Sequence, residues 1–212
     1  IQPSPDGLAQ AFTIGKDFVD SNPCALALGD NIFYGRDLSK LLQSANSRIV
    51  GATIFAYHVN DPERYGIVSF DDQMKAVCIE EKPAFPKSNN AVTGLYFYDE
   101  QVCDFASEIL PSARGELEIT DVNNFYLKQG QLQVEFLGRG FAWLDTGTYD
   151  SLLEASGFIA TLQKRQGLMV ACPEEIAFAQ QWIDREKVLK LAKPIANSSY
   201  GKYLLDLIQQ SV

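Results

Sequence analysis

The sequence predicts an α/β fold that ends in a small helical lobe. Three observations predict it. Strand-like and helix-like stretches alternate up to about Gln163, as in proteins built from a sheet layered with helices. Residues 24–28 form an unbroken apolar run ending in Gly29-Asp30-Asn31, the pattern of a strand covered on both faces in a parallel sheet. Past Gly167 the pattern turns wholly helical. These place a core at residues 1–163 and a helical region at 164–212.

The elements follow in order. After the first strand, residues 37–44 read as a helix with Leu38, Leu41 and Leu42 on one face. Residues 52–59 are a second strand, closed by the turn-rich Asn60-Asp61-Pro62-Glu63-Arg64. Residues 67–70 and 76–79, joined across Asp71-Asp72-Gln73, form a hairpin. Residues 91–98 carry the Val, Thr, Tyr and Phe content of a strand. Helices follow at 101–109 and 119–128, then a strand at 133–137. Thr148 caps a helix running to Gln163, with Leu152, Ala155, Ile159 and Leu162 at core spacing. Pro173, Glu174 and Glu175 suit a first helical turn. Asp184 caps residues 185–192, with Ile183 and Val188 as a hydrophobic staple, and residues 200–210 form the last helix.

Bulk composition removes several functions. No apolar run approaches the roughly 20 residues of a bilayer-crossing helix. The start, Ile1-Gln2-Pro3-Ser4-Pro5-Asp6-Gly7, has neither the basic flank nor the apolar stretch of a secretory signal. It also lacks a methionine and opens in a Pro/Gly turn, so preceding sequence is expected to be missing. A net charge of −9 argues against nucleic acid, whose phosphate backbone is bound by Lys and Arg, but permits an anionic small substrate where cations cluster locally. Cys24, Cys78, Cys103 and Cys172 are far apart, with no C-x-x-C pair and a single histidine, His58. Reduced thiols in a cytoplasmic protein are a simpler reading than a zinc site or a disulfide framework.

Two acids stand where apolar runs stop: Asp30 after residues 25–28, and Asp145 after Phe141-Ala142-Trp143-Leu144. Ligands of open α/β sheets bind beyond the carboxyl ends of strands. A convergent pair there could hold Mg²⁺, which takes hard oxygen ligands and completes its shell with phosphates and water. Gly-Asp-Asn and Asp-Thr-Gly serve equally well as turn or cap signals. Lys82, at a strand end before Pro83, could neutralise a phosphate while Glu81 accepts hydrogen bonds from sugar hydroxyls; a solvated charged turn is the alternative. Arg114 could take a phosphate bidentately or simply face water. Tyr65-Gly66 could bring bare backbone close to a ligand, and Trp143 could fill a core or line a pocket.

A set of blocks then stands out: residues 2–11, Leu28-Gly29-Asp30-Asn31, Asp61-Pro62-Glu63-Arg64-Tyr65-Gly66, Glu80-Glu81-Lys82-Pro83, residues 92–98, residues 115–121 and Trp143-Leu144-Asp145-Thr146-Gly147-Thr148. In this order, over essentially the whole chain, the sequence resembles the glucose-1-phosphate thymidylyltransferases, short bacterial form. The resemblance implies a Rossmann-like nucleotidyltransferase core with a mixed sheet, joining dTTP and glucose 1-phosphate into dTDP-glucose and pyrophosphate with Mg²⁺. It implies Asp30 and Asp145 as metal ligands and Gln2 and Gly7 as base contacts. It implies Asn31, Tyr65, Gly66, Glu81, Val92 and Trp143 as the sugar pocket, and Lys82 and Arg114 as the catalytic cations at the sugar phosphate. The helical region would serve subunit contacts in a homotetramer and feedback inhibition by dTDP-rhamnose. The family's glycine-rich phosphate loop, and the lysine after it, have no counterpart in these residues. That departure keeps a non-catalytic nucleotide-sugar-binding reading in view, beside a UTP-dependent sugar nucleotidyltransferase.

Overall fold

The computed structural model describes residues 1–210 and divides into two units, Ile1–Asp145 and Thr146–Val212. The first unit contains the helices α1 (Gln10–Ile14), α2 (Lys16–Val19), α3 (Leu38–Asn46), α4 (Val102–Glu108) and α5 (Ile119–Lys128). Its strands are β1 (Cys24–Ala27), β2 (Asn31–Gly35), β3 (Ala52–His58), β4 (Gly66–Phe70), β5 (Ala76–Glu81), β6 (Asn90–Tyr98), β7 (Leu132–Leu137) and β8 (Phe141–Asp145). The second unit is α6 (Tyr149–Gln166), α7 (Pro173–Ala179), α8 (Arg185–Ala192) and α9 (Ser199–Gln210).

Six strands make one mixed sheet in the order β5-β4-β6-β3-β7, with β1 also against β6. Only β3 and β7 run parallel; the other pairs are antiparallel. Strand alternation sends successive side chains to opposite faces. Ile54, Ala56, Val92, Tyr96 and Tyr98 therefore join one core with Phe12, Val102 and Val122, while Phe55 and Leu95 join a second with Ala45 of α3. Helices cover both faces, and the α/β expectation stands.

Three local expectations give way. Residues 24–28 were expected in a parallel sheet, covered on both faces. β1 instead pairs antiparallel with β6, and its residues alternate between half-buried and exposed. Its small residues Ala25 and Ala27 face outward, which an antiparallel sheet tolerates. The expected division at 163/164 falls inside α6, whereas the units divide at Asp145, where the last strand ends. A continuous hydrogen-bonded helix moves as one piece, so the chain divides ahead of it. Leu152, expected at core spacing, is half exposed on α6, where only Ala155 is fully buried. The caps hold: Thr148 and Ser151 form a reciprocal capping box, and Asp184 accepts from the Lys187 amide at 2.8 Å. Ile183 packs on the cluster of Val188, Ala192, Leu204 and Ile208.

Asp99 ties the end of β6 to its neighbours. Its carboxylate accepts from the Gly51 amide at 2.7 Å, the Gln101 amide at 3.0 Å, Gln101 Nε2 at 2.9 Å and the Tyr126 hydroxyl at 2.7 Å. Burial alone would raise its pKa; the donors from Gly51, Tyr126 and Gln101 outweigh burial and hold it below the usual aspartate value. A lowered folded pKa stabilises at neutral pH, and the contribution is lost as pH falls through that folded value. Asp99→Ala strands several donors and is expected to cost about 2 kcal/mol in urea unfolding at pH 7. The gap to the parent should narrow in acid, and a gap that widens there contradicts the charged latch.

Candidate active site

The site is built on a second, two-stranded sheet. β2 and β8 pair antiparallel with Asn31 opposite Asp145, Phe33 opposite Trp143 and Gly35 opposite Phe141. Directly opposed residues have Cα atoms about 4.5–5.5 Å apart. Asp30 precedes Asn31, so the register brings both sequence-predicted acids to one end of the ribbon.

Asn31 fastens that end to the main sheet. Its Nδ2 donates to Asp30 Oδ1 at 2.9 Å, while its Oδ1 accepts from the Gly94 amide at 3.0 Å and Trp143 Nε1 at 2.7 Å. Gly94 is needed for this approach, because a Cβ there would stand 2.5 Å from Asn31 Oδ1. Trp143 is thereby a pocket wall as well as a packing residue. Tyr65 and Tyr57 lie against its ring, at centroid distances of 5.1 and 5.9 Å.

Asp145 Oδ2 accepts from the Tyr65 hydroxyl at 3.2 Å and from an Arg64 guanidinium nitrogen at 3.4 Å. Burial, and then the charge of Asp145, push the Tyr65 phenol up to about 12, so it remains a donor at neutral pH. Arg64 is held from its other side by Asp61 at 2.7 Å.

Across the cleft, β5 ends in Glu81. Lys82 leaves the strand with φ of 41°, in the left-handed region, its amide bonded to the Tyr65 carbonyl at 3.0 Å. A side chain there sits in a sparsely populated backbone region, which points to positioning. The Thr120 hydroxyl, from the first turn of α5, donates to Glu81 Oε2 at 2.6 Å. Burial raises the Glu81 pKa and nearby Glu118 adds to it, against the opposing pull of Thr120, Lys82 and Arg114. Arg114 lies among three carboxylates: Glu116 at 2.9 Å, Glu118 at 3.3 Å and Glu81 at 3.7 Å.

One cleft of about 280 Å³ gathers Asp30, Asn31, Tyr65, Gly66, Glu81, Lys82, Val92, Arg114, Trp143 and Asp145, ten of the twelve expected residues. Gln2 and Gly7 are outside its lining, which begins at the adjacent Leu8. Gln2 Nε2 instead donates to the Gly7 carbonyl at 3.1 Å and to Gln10 Oε1 at 2.8 Å, closing its own loop. The lining also holds Arg64, Gly94, Glu118 and Thr120, which no sequence expectation named as site residues. All four stand inside the family-like blocks, Arg64 in 61–66, Gly94 in 92–98, and Glu118 and Thr120 in 115–121, but their contacts are made across the fold.

The donor set fits Mg²⁺: two hard carboxylates, Asp30 and Asp145, line one open cleft. Among the described residues no group of three or more His, Cys, Asp or Glu side chains completes a protein-only metal cage. An ion there would share its shell with phosphate and water, which is the ordinary habit of Mg²⁺.

The nucleotidyl transferase family model matches residues 1–161. A glucose-1-phosphate thymidylyltransferase of Xanthomonas campestris pv. campestris is 59% identical over 210 residues, 99% of this chain and 71% of that protein. The Mycobacterium tuberculosis protein of the same name is 53% identical, with 99% of this chain and 73% of that one covered. A Bacillus anthracis structure solved with sucrose is 43% identical at a TM-score of 0.63, over 72% of this chain and 60% of that chain. A UDP-glucose pyrophosphorylase solved with UDP-glucose shares the fold at a TM-score of 0.67 and 22% identity, over 76% of this chain and 64% of that chain.

Proposed function

The chain belongs to the nucleotidyl transferase family, and within it to the glucose-1-phosphate thymidylyltransferases, and from that premise we propose how its cleft serves the joining of dTTP and glucose 1-phosphate. The products are dTDP-glucose and pyrophosphate. The observation that supports the reading is the β2–β8 register, which brings Asp30 and Asp145 to one end of the ribbon, in the lining of one cleft with Lys82 and Arg114.

A phosphate oxygen of glucose 1-phosphate attacks the α-phosphorus of dTTP. The new O–P bond forms as the bond to the leaving pyrophosphate breaks. The attacking oxygen is already anionic, so no side chain need remove a proton, and positioning with charge neutralisation carries the step. Lys82 and Arg114 offset the repulsion between the two anions. Glu81, aligned by Thr120, accepts from sugar hydroxyls, and Trp143 with Tyr65 forms the apolar wall beneath the ring. Asp30 and Asp145 would hold Mg²⁺, whose contribution is further neutralisation of phosphate charge. The reaction runs in a cytoplasmic homo-oligomer under feedback by dTDP-rhamnose, with subunit contacts and regulation in the helical second unit.

The test is a nucleotide panel on the chain extended at its N-terminus by the family's glycine-rich segment. Pyrophosphate release with glucose 1-phosphate should be at least roughly tenfold faster from dTTP than from UTP, the discrimination expected of one well-made contact. Preference for UTP would move the protein to the sister chemistry. Tight dTDP-glucose binding without turnover would favour a regulatory role.

A further inference from the structure

Arg64 lies on the carboxylate that the proposed chemistry gives to a divalent cation. Its guanidinium is anchored to Asp61 at 2.7 Å, stands 5.3 Å from the centroid of the Tyr65 ring and reaches Asp145 Oδ2 at 3.4 Å. The short contact is to Asp61 and the long one to Asp145, the geometry of a cation tethered beside the site and loosely lodged in it. The side chain is 44% exposed and has room to withdraw toward Asp61. Asp145 has a second, uncharged donor in the Tyr65 hydroxyl, which would keep its orientation if Arg64 left.

We infer that Arg64 is a resident counter-cation of Asp145, occupying the ion's place on that carboxylate and yielding when a divalent ion arrives. This rests on the metal reading above. A tethered guanidinium lowers the free protein's affinity for bare metal. Asp145 would be freed for an ion most readily when a nucleotide is bound, since its phosphates bring negative charge that draws the guanidinium away. Once displaced, Arg64 remains held by Asp61 at the cleft rim, a third cation facing the reacting anions. It is a positioning residue.

The sign of one measurement decides. Mn²⁺ binding to the 212-residue chain alone is followed by electron paramagnetic resonance of the free ion. A guanidinium held within ion-pair reach of the ligand carboxylate, in a water-rich setting, weakens divalent-cation binding roughly tenfold. Arg64→Gln should therefore bind Mn²⁺ more tightly by about that factor. Were Arg64 only a brace for Asp145, its removal would loosen the ligand and weaken binding; that outcome, or no change, overturns the inference. Arg64→Lys keeps the charge but cannot span both carboxylates, and should shift the affinity the same way by less. This second variant carries the test if the glutamine disturbs folding. Absence of Mn²⁺ binding by the parent chain would remove the metal reading itself, and this inference with it.

Discussion

Asp145→Asn is expected to lower turnover by on the order of 10²-fold or more in the chain extended by the glycine-rich segment, with a matching loss of Mg²⁺ affinity. The substitution is nearly isosteric, and an amide oxygen can still accept from the Tyr65 hydroxyl that now bonds Asp145 Oδ2. The β2–β8 pairing of Asn31 with residue 145 uses backbone groups and should be untouched. Charge alone is removed, so the thermal midpoint should stay within a few degrees while Mn²⁺ binding falls. Unchanged turnover with unchanged Mg²⁺ dependence would end the assignment of this residue as a metal ligand, whatever happened at Asp30.

Gly7→Ala is expected to destabilise the first unit by about 3 kcal/mol or more, the largest stability effect foreseen here. Gly7 has φ of +112°, a region that L side chains avoid, and a Cβ would lie 2.3 Å from the Leu117 amide nitrogen. The neighbouring backbone is already zipped, the Leu117 amide donating to the Asp6 carbonyl at 2.7 Å and the Ala9 amide to the Leu117 carbonyl at 3.1 Å. No flexible side chain can yield, so the two segments must part. Because Leu117 adjoins Glu118, which holds Arg114, loss of sugar-phosphate binding should accompany the lower urea midpoint. A variant of parental stability would show that the loop can open without cost.

The sequence announced the residues of the cleft better than the geometry that joins them. Asp30 and Asp145 were visible because each ends an apolar run, and Lys82 because a proline follows it. What joins them was hidden. β2 is a short Asn-Ile-Phe-Tyr-Gly stretch whose partner is Phe141–Asp145, so no local pattern announces the ribbon. Arg64 and Thr120 escaped for the same reason: their partners, Asp145 and Glu81, are distant in the chain. The helices α1 and α2, of five and four residues, are too short for periodicity to show. Residues 24–28 misled twice: apolar continuity carries no information on strand direction, and Ala25 and Ala27 are small enough to stand exposed within it. Leu152 misled because helical spacing cannot say how much of a long helix the rest of the unit covers.

The ribbon has one more consequence, in time rather than in space. Its two strands come from opposite ends of the first unit, and closing so long a loop is slow beside the formation of local hairpins and helices. A refolding chain would pass through a stage with its main sheet largely paired while residues 31 and 145 are still apart. Completion of the cleft would then be among the last events, and Trp143 emission would report that final closure.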